Sequence, residues 1–117
     1  MKVISWNCRG LGSKKKEEAM RNLNMAENLD IMLVQETKME ENEFLQRSKK
    51  FWNKGGTLAV SARGASGGLG TLWNSSKFRL TMKKEHAHWL FTKLQHQETK
   101  ETFSLFNVHV SISGKEK

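Results

Sequence analysis

MKVISWNCRGLG at residues 1–12 and IMLVQET at residues 31–37 are short apolar runs, each closed by a polar residue, Asn7 in the first and Glu36 in the second. A run such as Val3-Ile4-Ser5-Trp6 suits a strand buried on both faces. A polar residue just past its end lands on the rim of a sheet, where binding sites are commonly built. Two such rims side by side bring an amide next to a carboxylate. That is the beginning of a magnesium site, with further oxygen ligands still to be supplied.

Between these runs, Arg9-Gly10-Leu11-Gly12 reads as a turn whose glycines permit positive φ. Ser13 is the expected N-cap of a helix over roughly 14–28, with Ala19, Leu23 and Ala26 on its apolar face. Residues 30–36 form the second strand. The order β-turn-α-β predicts neighbouring strands with the helix laid on the sheet. A short helix near 40–50 has Phe44, Leu45 and Phe51 as apolar contacts. Residues 57–61 read as a strand and 62–68 as a small-residue loop. Residues 69–73 and 78–83 read as a hairpin around Asn74-Ser75-Ser76, and residues 88–95 and 102–112 as a second one. The class is α/β, with one dominant mixed β-sheet and helices on its outer face.

Composition narrows the function. Twenty Lys+Arg against twelve Asp+Glu give a net charge of +8 in 117 residues. Such an excess favours polyanions through counterion release, which makes nucleic acid, bound electrostatically, the natural partner class. A solvated basic surface without a partner is the plainer alternative. Cys8 is the only cysteine, so no internal disulfide forms, and a reducing compartment is expected. No signal-like start and no apolar run of about 18–20 residues is present, so an intracellular chain without membrane partners is expected. Asp30 is the only aspartate, and tyrosine and proline are absent. A Ser-His-Asp arrangement therefore has little to draw on.

MKVISWNCRGLGS, DIMLVQETK, ASGGLGTLWNSSKF and FSLFNVHVSISGKEK resemble successive blocks of the endonuclease domain of LINE-type (non-LTR) retrotransposons, in the form common in plant genomes. That domain belongs to the endonuclease/exonuclease/phosphatase superfamily, with exonuclease III and DNase I. The blocks span residues 1–117 in the family's order and correspond to the N-terminal half of its domain. The resemblance implies half of a two-sheet DNase I-like α/β sandwich, in one partial domain truncated before its C-terminal half. It also implies Mg²⁺-dependent hydrolysis of DNA, bound nonspecifically, with the nucleus as the working compartment.

By the same resemblance, Glu36 in its Gln-Glu-Thr context is the metal-binding glutamate, and Asn7 helps position metal and scissile phosphate. A capping or solvated glutamate, and an asparagine bonded to its own backbone, are the structural alternatives. His109 stands where the family has a tyrosine that contacts the phosphate, and Ser111 where it has a proline. A protonated histidine can donate to a phosphate, and a tolerated surface histidine is the alternative. The aspartates and the Asp-His pair of the family's second half have no counterpart here, so inactivity of the chain alone is expected. A non-catalytic nucleic-acid-binding module and a protein-interaction remnant are the alternative functions.

Other candidates are weaker. The glycine-rich run from Gly64 to Gly70 lacks the spacing and following helix of a phosphate loop. Zinc binding by His86, His88 and Cys8 would require distant segments to converge. Lys14-Lys15-Lys16 and Lys83-Lys84 are candidate phosphate contacts. Trp6, Trp73 and Trp89 are expected in the core. The apolar strand residues, among them Val3, Ile31, Leu58, Trp89 and Phe91, are expected to form one inner face. It would lie bare without the missing half, ready to take a C-terminal half or a second copy.

Overall fold

The computed structural model describes residues 1–63 and 66–109. Elements follow one another as β1 (Val3–Asn7), α1 (Lys14–Glu27), β2 (Ile31–Gln35), α2 (Glu41–Ser48), β3 (Gly55–Arg63), β4 (Ser66–Asn74), β5 (Phe78–His86), β6 (Trp89–His96) and β7 (Thr102–Val108). The α/β class and the half-sandwich architecture are as expected. The strands divide into two sheets, however, and not the single mixed sheet read from the sequence. A four-stranded sheet has the order β1-β2-β4-β3, and a three-stranded one the order β5-β6-β7.

The first sheet is mixed. β1 and β2 pair in parallel, Val3 opposite Ile31 and Asn7 opposite Gln35, as a β-α-β crossover requires. β4 enters antiparallel between β2 and β3. The second sheet is an antiparallel meander. The hairpin expected between 69–73 and 78–83 does not form, because β4 and β5 lie in different sheets. The turn Asn74–Lys77, held by Lys77 N–H to Asn74 O at 3.1 Å, carries the chain from one sheet to the other.

One core lies between the helices and the first sheet. Met20 of α1 and Phe44 of α2 meet Met32, Val34, Ala59 and Leu72 there, with Ile4 and Trp6 at its margin. The other lies between the sheets, where Ile31, Trp73, Leu33 and Leu58 meet Phe78, Leu80, Leu94, Phe103 and Leu105. The layers run helix, sheet, sheet. Much of the inner face expected to be bare is thus covered by the chain's own second sheet.

Exposure sits elsewhere. β1 is an edge strand alternating between exposed and half-buried, with Val3 43% exposed, so it is not the doubly buried strand expected, whereas β2 buries Ile31, Met32 and Val34. Trp89 and Phe91 face outward from the second sheet beside Phe106, which is 61% exposed. Trp73 is buried as expected, and Trp52 joins the helix-side core.

Ser13 caps α1, its hydroxyl accepting from Lys16 N–H at 3.2 Å. The helix turns a different face inward from the one expected. Glu17, Met20 and Asn24 are buried while Ala19 and Ala26 are exposed. Burying a polar group requires partners, and both have them. Glu17 accepts from Arg47 at 3.1 Å. Asn24 donates to Phe51 O at 3.2 Å and accepts from Lys54 Nζ at 2.8 Å. Lys54 also donates to Asn28 Oδ1 and Leu29 O beyond the C-terminus of α1, and burial pulls its pKa down.

Candidate functional site

Asn7 and Glu36 end paired strands, and the fold brings their side chains together. Asn7 Nδ2 donates to Glu36 Oε2 at 2.7 Å. Asn7 Oδ1 in turn accepts from Arg9 N–H at 3.2 Å. The amide is exposed and the carboxylate half-buried, so the pair is open to a ligand.

The backbone beneath the pair is unusual. Arg9, Gly10, Glu36 and Lys38 all have positive φ, at 50°, 93°, 55° and 57°. For non-glycine residues this costs on the order of 1–3 kcal/mol each and persists only where the surroundings enforce it. They do so through hydrogen bonds that continue the sheet past its strands. Gly10 N–H donates to Glu36 O at 2.6 Å, Leu11 N–H to Thr37 O at 3.1 Å, and Lys38 N–H to Gly67 O at 2.9 Å. Lys16 closes the loop from the other side, its Nζ donating to the carbonyls of Cys8, Arg9 and Gly10 at 2.7, 3.2 and 2.8 Å. This lysine braces the loop carrying Asn7, a role different from the phosphate contact expected of it. Cys8 lies buried behind the loop, and burial pushes its thiol pKa up.

Asn107 ties the second sheet to this rim. It is 1% exposed and donates through Nδ2 to Val34 O at 3.2 Å, Gly70 O at 2.9 Å and Thr71 Oγ1 at 3.3 Å. Its Oδ1 accepts from Gln35 Nε2 at 2.8 Å, and Gln35 also donates to Ser5 Oγ at 3.0 Å. One amide therefore links β2, β4 and β7 next to Glu36. In the sequence, the alternation of β7 puts Asn107 on the same face as Phe103 and Leu105, while its partners on β2 and β4 carry no sequence signal.

His109 follows the end of β7, its N–H donating to His88 O at 2.9 Å. Its ring stacks on His88, with centroids 6.2 Å apart, and among the described residues its side chain makes no hydrogen bond with Asn7 or Glu36. The His86 and His88 rings lie 5.9 Å apart, with His88 in the turn after β5 and not on the strand as expected. Ser111 and the start of the glycine-rich run, Gly64 and Ala65, lie outside the described residues. Gly67 to Gly70 belong to β4. Lys83 pairs with Glu85 at 3.2 Å.

Among the described residues no group of three or more His, Cys, Asp or Glu is placed to hold a metal ion. The site does fit a first anchor for Mg²⁺, which commonly binds through one or two carboxylates and keeps several waters. Glu36 supplies one carboxylate, with Oε1 making no hydrogen bond among the described residues. Asp30 is committed elsewhere. It lies beyond the opposite end of β2 and accepts from Lys2 N–H and Lys77 Nζ, both at 2.9 Å. Burial pushes its pKa up, but the Lys2 amide and Lys77 ammonium outweigh this and hold it below the ordinary value.

This arrangement, a strand-end amide and carboxylate on a mixed sheet backed by a second sheet, coincides with a family match. The model of the Endonuclease/Exonuclease/phosphatase family matches residues 4–109. The chain belongs to that family. Among solved structures, the AP endonuclease LMAP from Leishmania major is similar, with a TM-score of 0.68 and 24% identity. This chain is covered over 93% of its length and that one over 40%. The catalytic domain of Xenopus laevis APE2 has a TM-score of 0.70 and 17% identity, covering 100% of this chain and 47% of that one. The likeness shows a shared fold, and the chain spans less than half of each neighbour. No curated protein sequence matches. No helix among the described residues is long and apolar enough to cross a membrane.

Proposed function

We propose that this chain is the N-terminal portion of a LINE-type retrotransposon endonuclease, a Mg²⁺-dependent DNA phosphodiesterase of the nucleus that is inactive without the rest of its fold. The Asn7–Glu36 pair carries the reading, because it sits on a braced, open rim within a matched family domain. The four sequence blocks support the retrotransposon subtype, and the AP endonuclease neighbours support DNA as substrate. Glu36 would hold the ion and Asn7 would orient Glu36 and the phosphate. Mg²⁺, when bound, stabilises the charge that develops on phosphate and leaving oxygen. Inactivity is the expectation from what the rim lacks among the described residues. Hydrolysis also needs a water-orienting base and an acid for the leaving group, and the one aspartate is held by Lys2 and Lys77 at the other end of the strands.

The test combines nicking of supercoiled plasmid in Mg²⁺ with duplex binding at rising salt. No nicking above buffer is expected. Binding should be weak, sequence-tolerant and at least tenfold weaker at 200 than at 50 mM salt, since phosphate contacts release counterions. Nicking lost in Glu36→Ala would overturn the inactivity, and salt-insensitive binding would overturn the electrostatic reading. Salt-sensitive binding whose affinity is unchanged by Mg²⁺ and by Glu36→Ala would favour the non-catalytic binding module.

A further inference from the structure

A cavity lies at the pole of the sandwich opposite the Asn7–Glu36 rim. Asp30 precedes β2, Phe78 opens β5 and His96 closes β6. With Lys77, Glu101 and Phe103 they line a volume of about 340 Å³. Pockets for small ligands commonly run from about 300 to 1,000 Å³. The walls are held in place by hydrogen bonds between the two turns that flank the cavity. Gln97 N–H donates to Lys77 O at 2.9 Å and Gln97 Nε2 to Ser75 O at 2.8 Å. His96 N–H donates to Glu101 O at 2.8 Å. Phe78 stands edge-on to Phe103 at 5.5 Å and to His96 at 5.4 Å, which makes one wall aromatic.

Its polar groups divide into engaged and open ones. Asp30 is engaged through both oxygens, by Lys2 N–H and by Lys77 Nζ. Lys77 keeps two further ammonium protons to donate. His96 Nδ1 accepts from Glu98 N–H at 3.2 Å and from Thr99 N–H at 3.3 Å, so the proton of the neutral ring sits on Nε2. Among the described residues neither that N–H nor the Glu101 carboxylate has a hydrogen-bond or ion-pair partner. The cavity therefore offers an open carboxylate and nearby donors beside an aromatic wall.

Such a set calls for a planar ligand that presents two adjacent donors next to an acceptor. Among the nucleobases guanine does so, with N1–H and N2–H₂ beside O6. Adenine sets one amine next to an acceptor, cytosine one amine next to two, and thymine a single N–H between two, so none of these gives a carboxylate two donors. We infer that this cavity binds a guanine base, with Glu101 accepting from N1–H and N2–H₂, Lys77 and His96 donating to O6, and Phe103 against the ring. The cavity and the rim lie at opposite ends of β2, and the inference stands independently of the endonuclease reading.

The experiment titrates the full 117-residue chain with the 5′-monophosphates of guanosine, inosine and adenosine, reading the ring signals of Phe78, His96 and Phe103 by NMR. The guanosine nucleotide should bind at least tenfold more tightly than the adenosine one. Inosine, which lacks the N2 amine, should fall severalfold below guanosine, since a site built around a donor rejects the analogue without it. Glu101→Gln, at an exposed position, should abolish the preference for guanosine while the methyl signals of Leu90 and Leu94 stay unchanged. A single-stranded thymidine pentamer with one central guanine separates the two sources of the base. Binding through the pentamer assigns the cavity to a base within a strand, and binding confined to the monophosphate assigns it to a free nucleotide; either supports guanine as the ligand. Equal affinity for guanosine and adenosine, or no shift at Phe103 with any guanine ligand, would overturn the inference. The same shifts with inorganic phosphate alone would overturn it in favour of anion capture by Lys77. Shifts at Asn7 and Glu36 in place of Phe103 would overturn it in favour of the rim.

Discussion

Asn107→Leu is expected to lower the midpoint of thermal unfolding by on the order of 10–20 °C. The wild-type amide is 1% exposed and makes four hydrogen bonds that join the two sheets. Leucine has similar bulk, so the loss is chiefly polar. The buried Thr71 hydroxyl and the Val34 and Gly70 carbonyls lose a donor, at about 1–3 kcal/mol for a buried group left without a partner, while half-buried Gln35 keeps its bond to Ser5 Oγ. A total near 3 kcal/mol is a large share of a stability of about 5–15 kcal/mol. Asn107→Asp should cost at least as much near neutral pH, because a carboxylate cannot donate to the Val34 and Gly70 carbonyls. Differential scanning calorimetry of the three proteins decides it. A midpoint within 2–3 °C of wild type for Asn107→Leu would mean that apolar packing alone holds the sheets together.

Gly70→Ala should destabilise by about 2–3 kcal/mol through overpacking. A Cβ at Gly70 would lie 2.2 Å from Phe44 Cζ and 2.5 Å from Cε2. The Phe44 ring is itself 1% exposed and edge-on to Phe51 at 6.4 Å. Gly70 does not have positive φ, so backbone strain plays no part and the effect is steric. A double variant, Gly70→Ala with Phe44→Leu, should therefore be less destabilised than the sum of its two single changes. Denaturant unfolding of all four proteins reads the coupling. Strict additivity would show that the ring moves aside freely.

Much of this fold is legible in the sequence where apolar periodicity and capping agree. The runs at Val3 and Ile31, the cap at Ser13 and the parallel neighbours they imply are found. So is the meeting of Asn7 with Glu36, because two strands in register bring their ends together. Pattern alone misses what depends on partners far along the chain. Glu17 and Asn24 look like solvent-facing residues until Arg47, Phe51 and Lys54 are seen to satisfy them. The Asn74–Lys77 turn looks like a hairpin because a local turn signal does not say whether the next strand stays in the same sheet. The left-handed conformations at Arg9, Glu36 and Lys38 have no composition signal, since each is imposed by the strands beside it.

The meander built from β5, β6 and β7 also has a temporal consequence. Its pairings join neighbours across short turns, Trp89 opposite His86 and Thr102 opposite Gln95. The first sheet must instead bring β1 to β2 across a helix, and then β4 between β2 and β3. Loop closure delays such distant contacts. During refolding the meander should gain amide protection first, with Leu90, Thr92 and Leu94 ahead of Met32 and Val34 in pulse-labelled exchange. Simultaneous protection of both groups would contradict that order. The aromatic face of Trp89, Phe91 and Phe106 is then among the earliest surfaces the nascent molecule displays, and it waits uncovered while the slower sheet assembles behind it.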